Sequence, residues 1–344
     1  HIAWPASYDR RMVVARQARR FFERDDGHLH VVSSRMNKIF AASYGDELAR
    51  EIGRPCSFVE RIDPGCVGDQ DMVIKLIHLQ NDEDEIRAIR KAAPHACLVG
   101  WFWDNHHHPD ANFSVARALD IVVPGHSAFE NYLRNQQAVQ LPTVALSTTQ
   151  WTQAPADQWS EPILTCERSS ALYGGYIEYG YSERTKFVRE IQDALHDNNL
   201  YCMEERQLHK YFGMSPEARI KDWAAHMVSL VLPLRQDLSQ RVFDALLAGE
   251  IPLVPDDLGA LDDVFGTDDH YELPIVRFRY ADADSVKRAH ERAVELFREH
   301  GEQGIRRRHQ AALEHHMFGA RIQTILDMVR GIDAYTSVRV RSHA

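Results

Sequence analysis

Short, fully apolar segments alternate with amphipathic segments along most of the chain. They occupy residues 72–78, 97–103 and 121–123 in the first half and residues 172–177, 228–232 and 251–254 in the second. The segments between them carry apolar residues three or four positions apart, as an amphipathic helix does. Short apolar strands separated by helices are typical of a parallel sheet that helices cover on both faces.

The alternation lapses between residues 151 and 160, where prolines and polar residues show no periodicity. This stretch predicts a linker. The chain has 344 residues, and a domain usually holds about 100–200, so we expect two domains. The pattern therefore predicts an α/β protein with two Rossmann-like, doubly wound domains that face a cleft. The first domain would span residues 1–155 and the second residues 156–315.

Composition and charge narrow the classes of protein. Lysine and arginine total 40 against 50 aspartate and glutamate, and this net charge of −10 argues against a general nucleic-acid-binding protein. No run of about 18 apolar residues is present, so we expect no transmembrane helix. The five cysteines form no C-x-x-C pair and no signal peptide is visible, which predicts a cytoplasmic protein. The fingerprints of dinucleotide-binding Rossmann domains, P-loops, nucleophile elbows and H-E-x-x-H zinc sites are absent.

The polar loop after the apolar strand at residues 228–232 is the most informative part of the chain. Ligands of open α/β sheets bind at the carboxyl ends of strands. Arg235 lies in this loop, and Ser239 begins a helix that carries Arg241 and Asp244. The arginines could neutralise a diphosphate at the helix N-terminus, and Asp244 could accept hydrogen bonds from sugar hydroxyls. The alternative is that Arg241 and Asp244 form a surface pair three residues apart.

Residues 241–254, RVFDALLAGEIPLV, resemble the C-terminal signature of GT-B glycosyltransferases, especially the group 1 (GT4-like) and CgeB-like branches. The resemblance implies a GT-B fold and a metal-independent transferase of the retaining type, with no cofactor beyond a nucleotide-sugar donor. It also implies that Asp244 binds the nucleotide ribose. The family has a second acid eight positions before this one. In this chain that position is Gln236, and the neighbouring Asp237 is our catalytic candidate. In such proteins the last helix packs back on the first domain, which we expect of residues 316–344.

Residues 173–189 resemble the first strand, loop and helix of the nucleotide-binding domain in the same family. Arg184 and Lys186 lie in the first helical turn, where the family often places basic residues near phosphates. The alternative for both is a solvated charge on the helix face. Glu205 follows the next predicted strand, where family members contact the base of the nucleotide.

A histidine cluster follows the apolar strand at residues 97–103. Asp104, His106 and His107 are our candidates for acceptor binding and acid–base catalysis, because histidine and aspartate can move a proton near pH 7. A metal site that includes His108 and Asp110 is a second reading, and a polar loop packed on tryptophans is the third. The loop after residues 121–123 ends at His126, a further candidate.

The predicted function is transfer of a sugar from a nucleotide-activated donor to a glycan or glycolipid acceptor in bacterial surface polysaccharide or glycoconjugate synthesis. The basic run Arg306-Arg307-Arg308-His309 is either a solvated helix face or a contact with the inner face of the membrane or an acidic glycan. The alternatives are a nucleotide-sugar epimerase or hydrolase of the same fold, a metal-dependent hydrolase that uses His106 and His108, and a non-catalytic sugar-binding relative.

Overall fold

The computed structural model describes residues 7–33, 44–78, 82–104, 109–148, 156–180, 182–204, 207, 214, 216–265 and 273–341. The chain divides into two units, His1–Leu146 with Gly319–Ala344, and Ser147–Phe318. The division falls ahead of the predicted linker. The cysteines Cys56, Cys66, Cys97, Cys166 and Cys202 are all free thiols.

The first unit is built on a parallel sheet. Its strands and helices are α1 (Tyr8–Glu23), β1 (Leu29–Val32), α2 (Tyr44–Ile52), β2 (Cys56–Val59), β3 (Met72–Ile77), α3 (Asp82–Ala92), β4 (Cys97–Phe102), α4 (Pro109–Ala116), β5 (Ile121–Pro124) and β6 (Val139–Gln140). The strand order is β2-β1-β3-β4-β5-β6, and every pair is parallel. All positions of β3 and β4 are buried, because helices cover both faces, and this explains why both strands are apolar except at Lys75. The Nζ of Lys75 is buried and pairs with the Glu85 carboxylate at 2.7 Å.

The second unit repeats this plan. Its strands and helices are α5 (Ala156–Thr165), β7 (Ser169–Ile177), α6 (Arg184–Ala194), β8 (Asn198–Met203), α7 (Pro216–Ala224), β9 (His226–Leu230), α8 (Arg241–Leu247), β10 (Ile251–Pro255), α9 (Asp262–Phe265), β11 (Val276–Phe278) and α10 (Ala283–His315). The strand order is β11-β10-β9-β7-β8, again with parallel pairs. Both sheets are thus doubly wound, which confirms the predicted α/β class.

The predicted linker at residues 151–160 is wrong for its second half. Part of the predicted linker forms helix α5, in which Pro162 lies inside the helix. The prolines and polar residues give this stretch a low helix propensity. The helix forms nevertheless, because the apolar Ile163 is packed in the interior and is 1% exposed. Helix α10 is N-capped by Asp282, whose carboxylate accepts a hydrogen bond from the Ser285 N–H at 2.8 Å.

The last helix, α11 (Phe318–Arg341), contributes most of its length to the first unit. The Arg330 guanidinium lies 4.6 Å from the centre of the Phe22 ring on α1. The Arg321 Nε donates to the Leu146 carbonyl at 3.4 Å. None of the helices that the structure describes, α11 included, is long and apolar enough to span a bilayer.

Candidate functional site

Two arginines and one tyrosine form the carboxyl edge of the second sheet. Strands β7 and β9 are neighbours, so the segments that follow them lie side by side. Helix α6 after β7 begins with Arg184, and helix α8 after β9 begins with Arg241. The two guanidinium carbons lie 5.3 and 5.1 Å from the centre of the Tyr176 ring near the end of β7. The sequence pattern predicted both arginines, and the structure brings them together on one ring.

Backbone carbonyls hold these arginines in place. The Nη2 of Arg184 donates to the Ile177 carbonyl at 3.1 Å, and its buried Nε has no hydrogen-bond partner among the described residues. The Nε of Arg241 donates to the Gly175 carbonyl at 3.0 Å, which ties α8 to β7. Tyr176 is itself fixed, because its hydroxyl donates to the Leu230 carbonyl at 2.5 Å.

The electrostatics of this edge favour an anion. Burial lowers the pKa of Arg184, and the nearby positive charge of Arg241 lowers it further. Carbonyl oxygens satisfy some of the guanidinium N–H groups but carry no full negative charge to offset two cations. Phosphate oxygens would supply that charge and accept the remaining N–H donors.

The loop between β9 and α8 is backbone-strained. Arg235 and Gln236 have φ values of 56° and 61°, in the left-handed region that residues with a side chain seldom adopt. The side-chain carboxylate of Asp237 accepts a hydrogen bond from the backbone N–H of Leu234, which closes the turn. Asp237, the predicted catalytic acid, therefore also shapes the loop. Strain of this kind concentrates at functional sites, where the surrounding structure maintains it.

Ser239 and Asp244 lie on either side of the first residue of helix α8. The helix begins at Arg241 with Gln240 as its N-cap, and not at Ser239 as predicted. The Ser239 hydroxyl accepts a hydrogen bond from the Nη1 of Arg241 at 3.3 Å, so it orients the arginine. Asp244 is 1% exposed, and its Oδ1 accepts a hydrogen bond from the Thr148 hydroxyl at 2.5 Å. The predicted surface pair between Arg241 and Asp244 is absent from the salt bridges of the described residues. Both side chains have other partners instead.

The remaining donor-site candidates are less informative. The Lys186 side chain is 73% exposed and lies 4.0 Å from Glu183, an arrangement typical of a solvated helix face. Arg235 is also exposed. Glu205 lies outside the described residues.

A histidine and an aspartate meet at the carboxyl edge of the first sheet. His78 directly follows β3, and Asp104 lies just beyond β4, the neighbouring strand. The His78 Nδ1 lies 3.3 Å from the Asp104 Oδ2. The backbone N–H of His78 donates to the Asp82 carboxylate at 3.0 Å, and the Trp103 ring packs edge-on at 5.3 Å. The Nε2 of His78 is buried and has no hydrogen bond to the described residues.

This arrangement suits proton transfer. A carboxylate at Nδ1 fixes the histidine tautomer and its orientation, and a substrate hydroxyl that reached the buried Nε2 would find a proton acceptor there. Sequence reasoning selected Asp104 but missed His78, because His78 ends an apolar run and was read as part of the strand. The signal that could have found it was the same one that selected Asp104, a polar residue at the carboxyl end of a buried strand.

The other histidine candidates have mixed outcomes. His126 is 1% exposed, and its Nε2 bonds to the Trp103 carbonyl at 2.9 Å, which gives it a packing role beside the dyad. His106, His107 and His108 lie outside the described residues. Among the residues on either side of them that the structure does describe, no three histidine, cysteine or acidic side chains converge as metal ligands would.

The sequence matches no protein-family model and no curated protein. The fold does match solved structures. The sucrose-phosphate synthase from Thermosynechococcus elongatus aligns with 90% of this chain and 100% of its own, at 10% identity and a TM-score of 0.53. A mutant O-GlcNAc transferase from Thermobaculum terrenum aligns with 96% of this chain and 76% of its own, at 13% identity and a TM-score of 0.46. The pneumococcal O-GlcNAc transferase GtfA, solved with UDP and GlcNAc, aligns with 76% of this chain and 57% of its own, at 12% identity and a TM-score of 0.41.

One of these structures, the sucrose-phosphate synthase, defines the class of fold. The likeness to sucrose-phosphate synthase, which spans that whole chain, places this protein in the GT-B fold, and its structural neighbours are glycosyltransferases. The chain spans less than two thirds of the length of the pneumococcal proteins. The GT4-like or CgeB-like branch that the sequence resembles stays a prediction.

Proposed function

We propose that the protein is a glycosyltransferase that binds a nucleotide-sugar donor at the Arg184–Arg241 edge of the second unit. The observation that carries the proposal is the pair of guanidinium groups held on Tyr176 at the carboxyl ends of β7 and β9. Ligands of doubly wound sheets bind at such ends. The arginines would neutralise the diphosphate of the donor and stabilise it as the leaving group, which is chemistry that needs no metal ion.

The His78–Asp104 dyad would activate the acceptor. In this step the His78 Nε2 accepts the proton of an acceptor hydroxyl while the hydroxyl oxygen bonds to the anomeric carbon of the sugar. The bond from that carbon to the diphosphate oxygen breaks, and its electron pair leaves with the diphosphate. Asp104 stabilises the protonated imidazole. Such direct displacement inverts the anomeric carbon, whereas the group 1 resemblance implies retention, so the anomer of the product distinguishes the two mechanisms.

The finer parts of the proposal rest on the sequence resemblance. The acceptor is a glycan or glycolipid, the pathway is bacterial surface polysaccharide or glycoconjugate synthesis, and the location is cytoplasmic. Asp244 would bind the ribose if a ribose hydroxyl replaced the Thr148 hydroxyl at the Asp244 carboxylate or bound beside it. Lys186, Arg235 and Glu205 would act at the periphery of the donor.

Two measurements test this proposal in sequence. Thermal unfolding with UDP, GDP, ADP, dTDP and CMP should reveal at least one nucleotide that raises Tm, because a ligand of the native state stabilises it by mass action. The matching sugar nucleotide, labelled in the sugar, should then deliver its label to an acceptor glycan. Delivery of the label only to water would establish a hydrolase, and label that stays on the nucleotide in an epimerised sugar would establish an epimerase. No stabilisation by any nucleotide would remove the donor site.

A further inference from the structure

The basic run near the end of α10 is divided between surface and interior. The helix is broken at Gly301, where φ is 52° and ψ is −149°. Beyond the break, Arg306 lies on the surface and pairs with Glu302 at 2.8 Å. Arg308 and His309 are 0% and 3% exposed. The predicted solvated face or membrane-contact patch is therefore wrong for Arg308 and His309, because neither side chain lies on the outer surface of the helix.

Arg308 is buried with most of its donors unused. Its Nε donates to the Gly249 carbonyl at 2.9 Å, and its guanidinium lies 5.1 Å from the centre of the Phe297 ring. In the part of the chain that the structure describes, the buried Nη1 and Nη2 atoms have no hydrogen-bond partner. These two atoms carry four of the five N–H donors of an arginine. Buried donors without partners are costly and rare in native proteins, so they call for an explanation such as a ligand.

The charges around Arg308 leave an excess of positive charge. Arg168 lies 5.5 Å from the centre of the same Phe297 ring, on which both guanidinium groups pack. Burial and then the charge of Arg168 lower the pKa of Arg308 to about 9, so it stays protonated at neutral pH. The neighbouring acid is Glu250, which is fully buried, and burial raises its pKa well above the usual range. One carboxyl group with a raised pKa cannot offset two arginines.

A polar cavity opens beside this arginine. Its volume is about 250 Å³, and it is lined by Pro274, Glu299, His300, Gln303, Gly304, Arg307 and Arg308. Gly304 lies against both lining side chains, since a Cβ at that position would be 3.1 Å from the Arg308 Nη1 and 2.4 Å from the His300 Cβ. Glu299 is the opposing acid in a lining that otherwise offers two arginines, a histidine and an amide.

We propose that this cavity binds the phosphate group of a small molecule, with the Arg308 guanidinium as the principal ligand and Arg307 and His300 at the rim. A phosphate offers paired acceptor oxygens that match the fork of Nη1 and Nη2. The site is distinct from the donor edge, because Arg308 bonds to Gly249 beyond the last turn of α8, whereas Arg241 begins that helix. It does not depend on the protein being a glycosyltransferase.

The test is a calorimetric titration of the full chain with inorganic phosphate and with glucose 6-phosphate, and with glucose as the control ligand. Because the donor edge could also take phosphate, the same titrations are run on Arg241→Ala. Binding that survives in Arg241→Ala and weakens at least tenfold in Arg308→Gln would support the proposal. Arg306→Gln is the matched control, since it removes an exposed arginine of the same run and should bind as the wild type does.

The two ligands show which kind of phosphate the cavity binds, and the arginine variants show whether the site exists. Glucose 6-phosphate that binds at least tenfold tighter than inorganic phosphate identifies a phosphorylated metabolite, and equal affinities identify free phosphate. If Arg308→Gln fails to fold, the exposed rim variant Arg307→Gln should still bind several-fold more weakly than Arg306→Gln. No binding by either ligand, or unchanged binding in a folded Arg308→Gln variant, would overturn the proposal. If Arg308→Gln does not fold, equal binding in the Arg307 and Arg306 variants would overturn it.

Discussion

The two units carry different residues at the carboxyl ends of their central strands. In the first unit, His78 follows β3 and Asp104 follows β4. In the second unit, Arg184 begins the helix after β7 and Arg241 begins the helix after β9. The sheets around them are alike, since both are parallel and doubly wound. One edge thus offers a base for a proton, and the other offers cations for an anion. The comparison teaches that the common fold supplies the location, and the few residues just past each strand supply the chemistry.

The largest effect should come from the proton-transfer edge. We expect His78→Gln to lower the turnover of the proposed transfer by about 10²–10⁴-fold, because general base catalysis contributes that much. Nucleotide affinity should not change, since the cations lie in the other unit. The control is His95→Gln, which replaces an exposed histidine of the first unit. A loss of nucleotide affinity equal to the loss of turnover would show that the two edges do not divide the chemistry as described.

The second prediction concerns the hydrogen bond between Thr148 and the buried carboxylate of Asp244. It tests whether this carboxylate stabilises the fold. Thr148→Val removes the hydroxyl that bonds to the buried Asp244 carboxylate, so we expect the free energy of unfolding to fall by about 1–3 kcal/mol. Chemical denaturation measures this change. Unchanged stability would contradict a stabilising role for the hydrogen bond between Thr148 and Asp244.

The strained loop gives a smaller effect of opposite sign. Gln236→Gly should raise the free energy of unfolding by up to about 1 kcal/mol, because glycine adopts a positive φ without the cost that other residues bear. The matched control is Gln240→Gly, at a φ of −50°, which should destabilise the protein. Destabilisation by both variants would contradict the strain at residue 236.

The smallest effect is the response to mild acid. Burial lowers the pKa of His30 in the first unit and of His226 and His290 in the second. The unfolded chain titrates these groups near about pH 6.5 and so binds more protons than the folded chain just below that pH. Stability should therefore fall as pH drops from about 6.5 toward the lowered pKa values, and His290→Gln should weaken this dependence. Denaturation curves that show rising stability on acidification would contradict the sign.

Much of the fold could be predicted from the sequence, because residues 97–103 and 228–232 are apolar runs that only a covered parallel strand explains. Arg184 and Arg241 could be predicted as site residues because each begins a helix after such a strand. Their meeting on Tyr176 could not, since it depends on the strand order that places β7 beside β9. Likewise, the dyad depends on the pairing of β3 with β4, and the burial of Arg308 depends on the break at Gly301.

One titration decides whether the second unit holds the donor. The nucleoside diphosphate that most stabilises the wild type is titrated calorimetrically into wild type, Arg241→Ala and the surface control Arg292→Ala, whose side chain is 56% exposed. Loss of a charge-assisted contact to the diphosphate should weaken binding by about tenfold or more in Arg241→Ala, and binding to Arg292→Ala should match the wild type. Equal affinity in Arg241→Ala and wild type would contradict the donor site at this edge.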